Sequence, residues 1–128
     1  MKLKLVLVSA LLAIPGAALT GMAAYADPSG CSASTTDFGL DSGKKLQATG
    51  EGLCSTSASR NLQVEIKQDL SLQPDPVVAH GNDSRTAKSY ASTVVSCDNG
   101  NTATYYGRTF FTTNTTYHDS THRRYTVC

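Results

Sequence analysis

Leu62, Val64, Ile66, Leu70 and Leu72 all fall on even positions, and Gln63, Glu65, Lys67, Asp69 and Ser71 fill the odd ones. Only Gln68 breaks the even series. Alternation with period two predicts a strand, or two strands with a bend, with one face buried and the other wet. The spacings of three and four that a helix would need are not met. A second signal is Asp98-Asn99-Gly100-Asn101. Asn-Gly supplies the two positive-φ positions of a type I′ turn, and strand-forming residues flank it on both sides. With Asn99-Gly100 as the loop, Cys97 would face Thr102 and Val95 would face Thr104. Val94, Tyr90, Tyr105 and Phe111 would then share one face, and Val95, Ala91, Tyr106, Arg108 and Phe110 the other. The pattern therefore predicts a hairpin covered on both sides.

Softer signals complete the map. Asp41-Ser42-Gly43 predicts a turn between short strands near 35–40 and 44–49. Residues 121–128 read as a closing strand. Residues 73–86 hold Pro74, Pro76, Gly81 and Asn82 and predict a long irregular loop, strand-like only at 77–79. Short strands with frequent turn signals predict an all-β fold, a small antiparallel sandwich or barrel.

The start of the chain is different in kind. Lys2 and Lys4 precede an apolar run over 5–14, and Ala24-Tyr25-Ala26 fits the A-x-A pattern of a signal-peptidase site. Residues 1–26 are thus expected to be a removed secretory signal, leaving one exported domain over 27–128. The apolar run is too short for an anchor, so no membrane association is expected after cleavage. Loss of Lys2 and Lys4 moves the formal charge from +1 to about −1.

The mature segment holds all four cysteines, Cys31, Cys54, Cys97 and Cys128. Its Leu, Ile, Val and Phe make up only about a sixth of it, and Ser and Thr roughly a quarter, a poor supply for a self-sufficient core. An even set of cysteines in an exported chain of this size points to disulfides. Three pairings are open, and Cys31–Cys54 with Cys97–Cys128 is favoured because each pair brackets neighbouring strands. No C-x-x-C exists to suggest zinc. Ser29-Gly30-Cys31 resembles a lipid-attachment box, but Pro28 stands where an aliphatic residue is expected.

Candidate chemistry is sparse. His118, Asp119 and His122 form H-D-x-x-H, whose histidines would share a face on a helix; in a turn entering a strand they need not converge, and no metal or other cofactor is expected. Glu65, Arg108 and one of His80, His118 or His122 are the residue types of a small secreted ribonuclease, which moves one proton and steadies a phosphate. Glu65 on the wet side of a strand is also where a solvated glutamate belongs. No G-x-S-x-G is present. Arg123-Arg124 on a near-neutral domain does not make a basic footprint, and no nucleic acid is expected as a partner. Without Trp, a sugar platform would need Tyr105, Tyr106, Tyr117 or Tyr125, with Arg108 and Phe110 beside Tyr106; the core claims the same aromatics.

The reading favoured is a stapled binding or inhibitory module with no catalytic activity, recognising an extracellular protein or a cell-wall glycan. A rigid platform lowers the entropy cost of binding. The residues expected to make contact are Asp83 and Arg85 in the Pro-bearing loop, and Tyr106 and Arg108 on the strand face. Asn82-Asp83-Ser84 and Asn114-Thr115-Thr116 are glycosylation sequons.

Overall fold

A computed structural model describes residues 27–112 and 116–128. The signal segment and Asn114 lie outside the described residues. The chain forms β1 (Cys31–Leu40), β2 (Leu46–Gln68), β3 (Val77–Ser96), a 3-10 turn over Asp98–Gly100, β4 (Thr102–Phe111), β5 (His118–Asp119) and β6 (Arg123–Thr126). All pairings are antiparallel and join the six strands into one sheet.

The unusual elements are β2 and β3, which pair with each other from Leu46↔Ser96 to Lys67↔Val77. The register shifts between Leu53 and Ala58, and there the ribbon creases and folds over itself. The first half of β2 pairs with β1, from Leu40↔Leu46 to Cys31↔Cys54, and forms one layer with the second half of β3. The second half of β2 pairs with β4, from Leu62↔Phe111 to Gln68↔Tyr105, and forms the other layer with the first half of β3. β5 and β6 extend that second layer beyond β4. The result is an antiparallel sheet curled into a half-barrel, so the all-β class and both favoured disulfides, Cys31–Cys54 and Cys97–Cys128, are shown. With Cys31 in a disulfide, the lipid-attachment alternative falls away.

Alternation builds the core. Leu46, Ala48, Gly50, Gly52, Cys54, Leu62, Val64 and Ile66 are all even positions of β2, and all are buried. Val94, Ala103, Tyr105 and Val127 pack with Leu46, Ala48, Val64 and Ile66, while Tyr90 and Phe111 pack with Leu62 and Cys54. The layers approach closely where β2 faces itself. A Cβ on Gly50 would stand 2.6 Å from Val64 Cγ2, and one on Gly52 2.7 Å from Phe111 Cζ. At the crease, the Tyr90 hydroxyl donates to the Ala58 carbonyl at 2.6 Å and accepts the Ala87 N–H at 3.3 Å. That satisfies backbone groups the ladder has lost.

Three expectations need correction. The Asn-Gly segment does not make a hairpin: β3 pairs with β2, and β4 with the other half of β2. Asn99 (φ 56°) and Gly100 (φ 72°) do take left-handed conformations, joined by Asp98 (φ 43°). This extra left-handed residue swings the chain from one layer to the other rather than straight back. Second, the even-position run ends at Gln68; Leu72 is fully exposed with φ 62°, in the turn before β3. Third, residues 77–86 belong to β3, so the irregular loop spans only 69–76. The turn at Asp41 is as expected, its Oδ1 accepting the N–H groups of Gly43 and Lys45.

Candidate functional site

The expected contact residues fall into two pairs on different parts of the sheet. Asp83 lies opposite Leu62 on β2, and Tyr106 lies opposite Lys67. These positions are five residues apart along β2, on the order of 16 Å, and lie on opposite sides of it.

Asp83 and Arg85 sit on β3 just before the crease. Arg85 Nε donates to Asp83 Oδ1 at 2.9 Å, and its Nη2 donates to the Ser89 carbonyl at 2.7 Å. Asp83 Oδ2 accepts the Ala91 N–H at 3.0 Å. The pair clasps one half of β3 to the backbone of the other half. Asp83 is therefore turned inward and not toward solvent, as a loop position would have been. Its carboxyl is held below the ordinary range, first by the Arg85 hydrogen bond, and the Arg85 guanidinium is pushed up by Asp83 in return.

Arg85 also borders a groove of about 480 Å³ on the outer surface of the first layer, within the usual size range of ligand sites. Ser34, Glu51 and Ala91 form one cross-strand row of its floor, and Ser32, Leu53 and Ser89 the next. Leu53 is 63% exposed, so the groove offers an apolar knob between charges of both signs. Sequence reasoning missed Glu51 and Leu53. Their signal was the even-position series Ala48, Gly50, Gly52 and Cys54, which points the odd residues outward once the glycines are seen as close-approach positions.

Tyr106 and Arg108 lie on the outer face of the second layer. Tyr106 is buried because residues of the connecting segments cover it. Its hydroxyl donates to Asp75 Oδ2 at 2.6 Å, and the His122 ring stacks on it at 4.1 Å. Burial, then the Asp75 hydrogen bond, pushes its pKa up. Asp75 is held low by the Leu70 N–H and then by the Tyr106 hydroxyl. Arg108 donates through Nε and Nη2 to the two oxygens of Asp119, at 2.8 and 2.9 Å, and lies over the Tyr117 ring at 4.0 Å. The Asp119 hydrogen bond pushes the Arg108 pKa up.

Glu65 has His80 as its register partner on β3 and Arg108 on β4. Glu65, one histidine and Arg108 thus stand in a single row across the sheet. The other histidines are engaged elsewhere: His118 Nε2 bonds Asp27 at 2.9 Å, and His122 Nδ1 bonds Asp69 at 2.8 Å. His118 and His122 do not form a metal site together, and no metal-binding group of three or more His, Cys, Asp or Glu occurs among the described residues.

Comparisons with family models, with characterised proteins and with solved structures give no match.

Proposed function

We propose that this protein is an exported, disulfide-stapled binding or inhibitory module without catalytic activity, and that an extracellular protein occupies the groove beside Arg85. The observation that carries this reading is the groove itself: Arg85 is held ready by Asp83 and Ser89, with Leu53 exposed beside it. A cation oriented before binding loses little side-chain entropy on contact. An apolar anchor with Glu51 and Arg85 at its sides suits the mixed surface of a protein. Paired cysteines agree with an oxidising compartment. Among the described residues no helix is long and apolar enough to cross a membrane. The signal-like start supplies the export route.

The test is affinity capture by mature protein (27–128), immobilised and exposed to the native culture fluid, beside the Arg85→Ala and Leu53→Ala variants. A protein retained by the wild type should be lost, or weakened about tenfold, with each variant. Equal retention by all three would remove the groove from consideration.

A second reading has one observation in its favour, the His80–Glu65–Arg108 row. In a ribonuclease, Glu65 would take the 2′-hydroxyl proton, a protonated His80 would donate to the leaving 5′-oxygen, and Arg108 would steady the phosphorane. Against it, Arg108 already holds Asp119 with two of its nitrogens, and Asp69, Asp75 and Asp119 all lie on that side of the sheet. To hold a phosphate, Arg108 would have to give up both of its bonds to Asp119. RNA cleavage by the wild type that is lost in Glu65→Gln would replace the binding reading.

A further inference from the structure

The charge of the groove beside Arg85 is not the one its arginine suggests. Arg85 Nε donates to both oxygens of Asp83, at 2.9 and 3.1 Å, and its Nη2 donates to the Ser89 carbonyl at 2.7 Å. The guanidinium and its carboxylate cancel, so Arg85 offers the groove its remaining N–H groups without a net charge. Glu51 is the other charged residue of the lining, and among the described residues it has no ion-pair partner. Its register partners, Ser34 and Ala91, are neutral. Arg60, opposite Arg85 in the ladder, and Lys88 carry charge in this part of the ribbon but do not line the groove. The groove thus holds one unbalanced charge, and it is negative.

The same face supplies an apolar track to that carboxylate. Glu51 and Leu53 both point outward from β2 and lie two residues apart, about 7 Å along the strand. Leu53 is 63% exposed, and its cross-strand row holds only serines beside it. A side chain entering the groove can lie along Leu53 and end at Glu51. It needs an apolar stem and a terminal cation. Lysine has both, a four-carbon stem and an ammonium with three donors, and such stems rest on apolar surface while the charged head stays wet. An acidic side chain on the same track would meet Glu51 as a like charge.

Resting on the reading of this groove as a protein-binding site, we infer that it selects its partner by a lysine side chain. The stem lies against Leu53 and the ammonium meets Glu51, while Arg85 donates to a backbone carbonyl of the same segment. Arg85 orients the partner and Glu51 specifies it. Loss of Arg85 weakens every bound segment alike, whereas loss of Glu51 removes the preference for a basic residue.

The experiment titrates isotope-labelled mature protein with capped Ala-X-Ala peptides to about 20 mM, because a single side-chain contact binds in the millimolar range. X is lysine, norleucine (a comparable stem without the charge) or glutamate, and amide NMR shifts report binding. The lysine peptide should shift the Glu51, Leu53 and Ala91 amides and bind about two- to fivefold tighter than the norleucine peptide, with glutamate weakest. Glu51→Gln keeps the shape of an exposed side chain and removes its charge, so it should fold as the wild type does and bind lysine and norleucine alike. A lysine peptide no better than norleucine, a preference for glutamate, or a lysine preference unchanged in Glu51→Gln would each overturn the inference. Affinity capture separates this contact from the groove itself. A protein lost with Arg85→Ala and Leu53→Ala but held fully by Glu51→Gln would leave the groove in place and overturn the lysine contact. Equal retention by all the variants would remove the groove, and the lysine contact with it.

Discussion

Gly50→Ala tests the folded-over ribbon most directly. Gly50 lies on the inward face of β2, and its φ is not left-handed, so backbone strain plays no part in the expected effect. What matters is room. A methyl group there would overlap Thr109 and stand 2.6 Å from Val64 Cγ2, both in the opposite layer. Relief requires the two layers to separate or Thr109 to leave its hydrogen bond with Thr35, at 2.8 Å. Overpacking of this kind costs about 1–3 kcal/mol. Replacing glycine also restricts the unfolded chain and returns about 0.4–1 kcal/mol. The net expectation is a loss of about 1–2 kcal/mol, or on the order of 5–15 °C in melting temperature for a domain this small. Gly39→Ala is the matched control, since a Cβ there meets only Tyr125 Oη at an ordinary 3.6 Å. It should leave the melting temperature unchanged or slightly raised. Thermal melts followed by circular dichroism, with urea midpoints as a second measure, separate the two. Thr109→Ser, which keeps the hydroxyl and removes a methyl, should recover part of the Gly50→Ala loss in a double-mutant cycle. If Gly50→Ala melts no lower than Gly39→Ala, the layers do not meet where described.

Other expectations follow from the same geometry. Asp83→Ala removes a carboxylate that holds both Arg85 and the Ala91 N–H, and should cost about 1 kcal/mol in the same melts, an exposed partner limiting the loss. Because the folded pKa of Asp83 is lowered, its stabilisation is full above the ordinary carboxylate range and fades as pH falls through the lowered value. Asp83→Asn should therefore flatten the decline of melting temperature below about pH 4; an unchanged slope would discount the clasp. Tyr105 and Tyr106 are both pushed up, mainly by burial, so their contribution is complete below pH about 10 and is lost as pH climbs past it. In an absorbance titration at alkaline pH these two should ionise only as the protein unfolds, whereas early titration of all tyrosines would contradict their burial. Replacing Cys97 and Cys128 together by alanine should cost about 2–4 kcal/mol in urea melts.

The sequence carried the parts of the fold that depend on local rules. The buried faces of β2 follow from alternation alone, and the Asp41 turn and the left-handed Asn99-Gly100 step follow from turn chemistry. The disulfide pairing followed from which strands each cysteine pair would bracket. What was hidden is long-range. Nothing in Asp98-Asn99-Gly100 tells whether the next strand returns beside its predecessor or crosses to another layer, because both need positive φ. Gly81 and Asn82 looked like loop residues, yet Gly81 is a close-approach position, where a Cβ would stand 2.6 Å from Val94 Cγ1. The same misreading of glycines concealed the continuation of β2 through Gly50 and Gly52, and with it Glu51, Leu53 and the groove. Asp83 and Arg85 were legible only as polar residues of an expected loop, and their engagement with each other and with the backbone of residues 89 and 91 exists only once β3 is folded back.

The two disulfides follow one another along the chain without interleaving: Cys31 closes with Cys54, and Cys97 with Cys128. Under the proposed export, with the N-terminus leading, that order has a kinetic meaning. The first pair can meet as soon as β1 and the start of β2 have emerged, at a time when neither later cysteine is present to compete. The second pair then finds only each other as free thiols. Oxidation in order of emergence yields the native pairing directly, and reshuffling is needed only when the first closure is delayed.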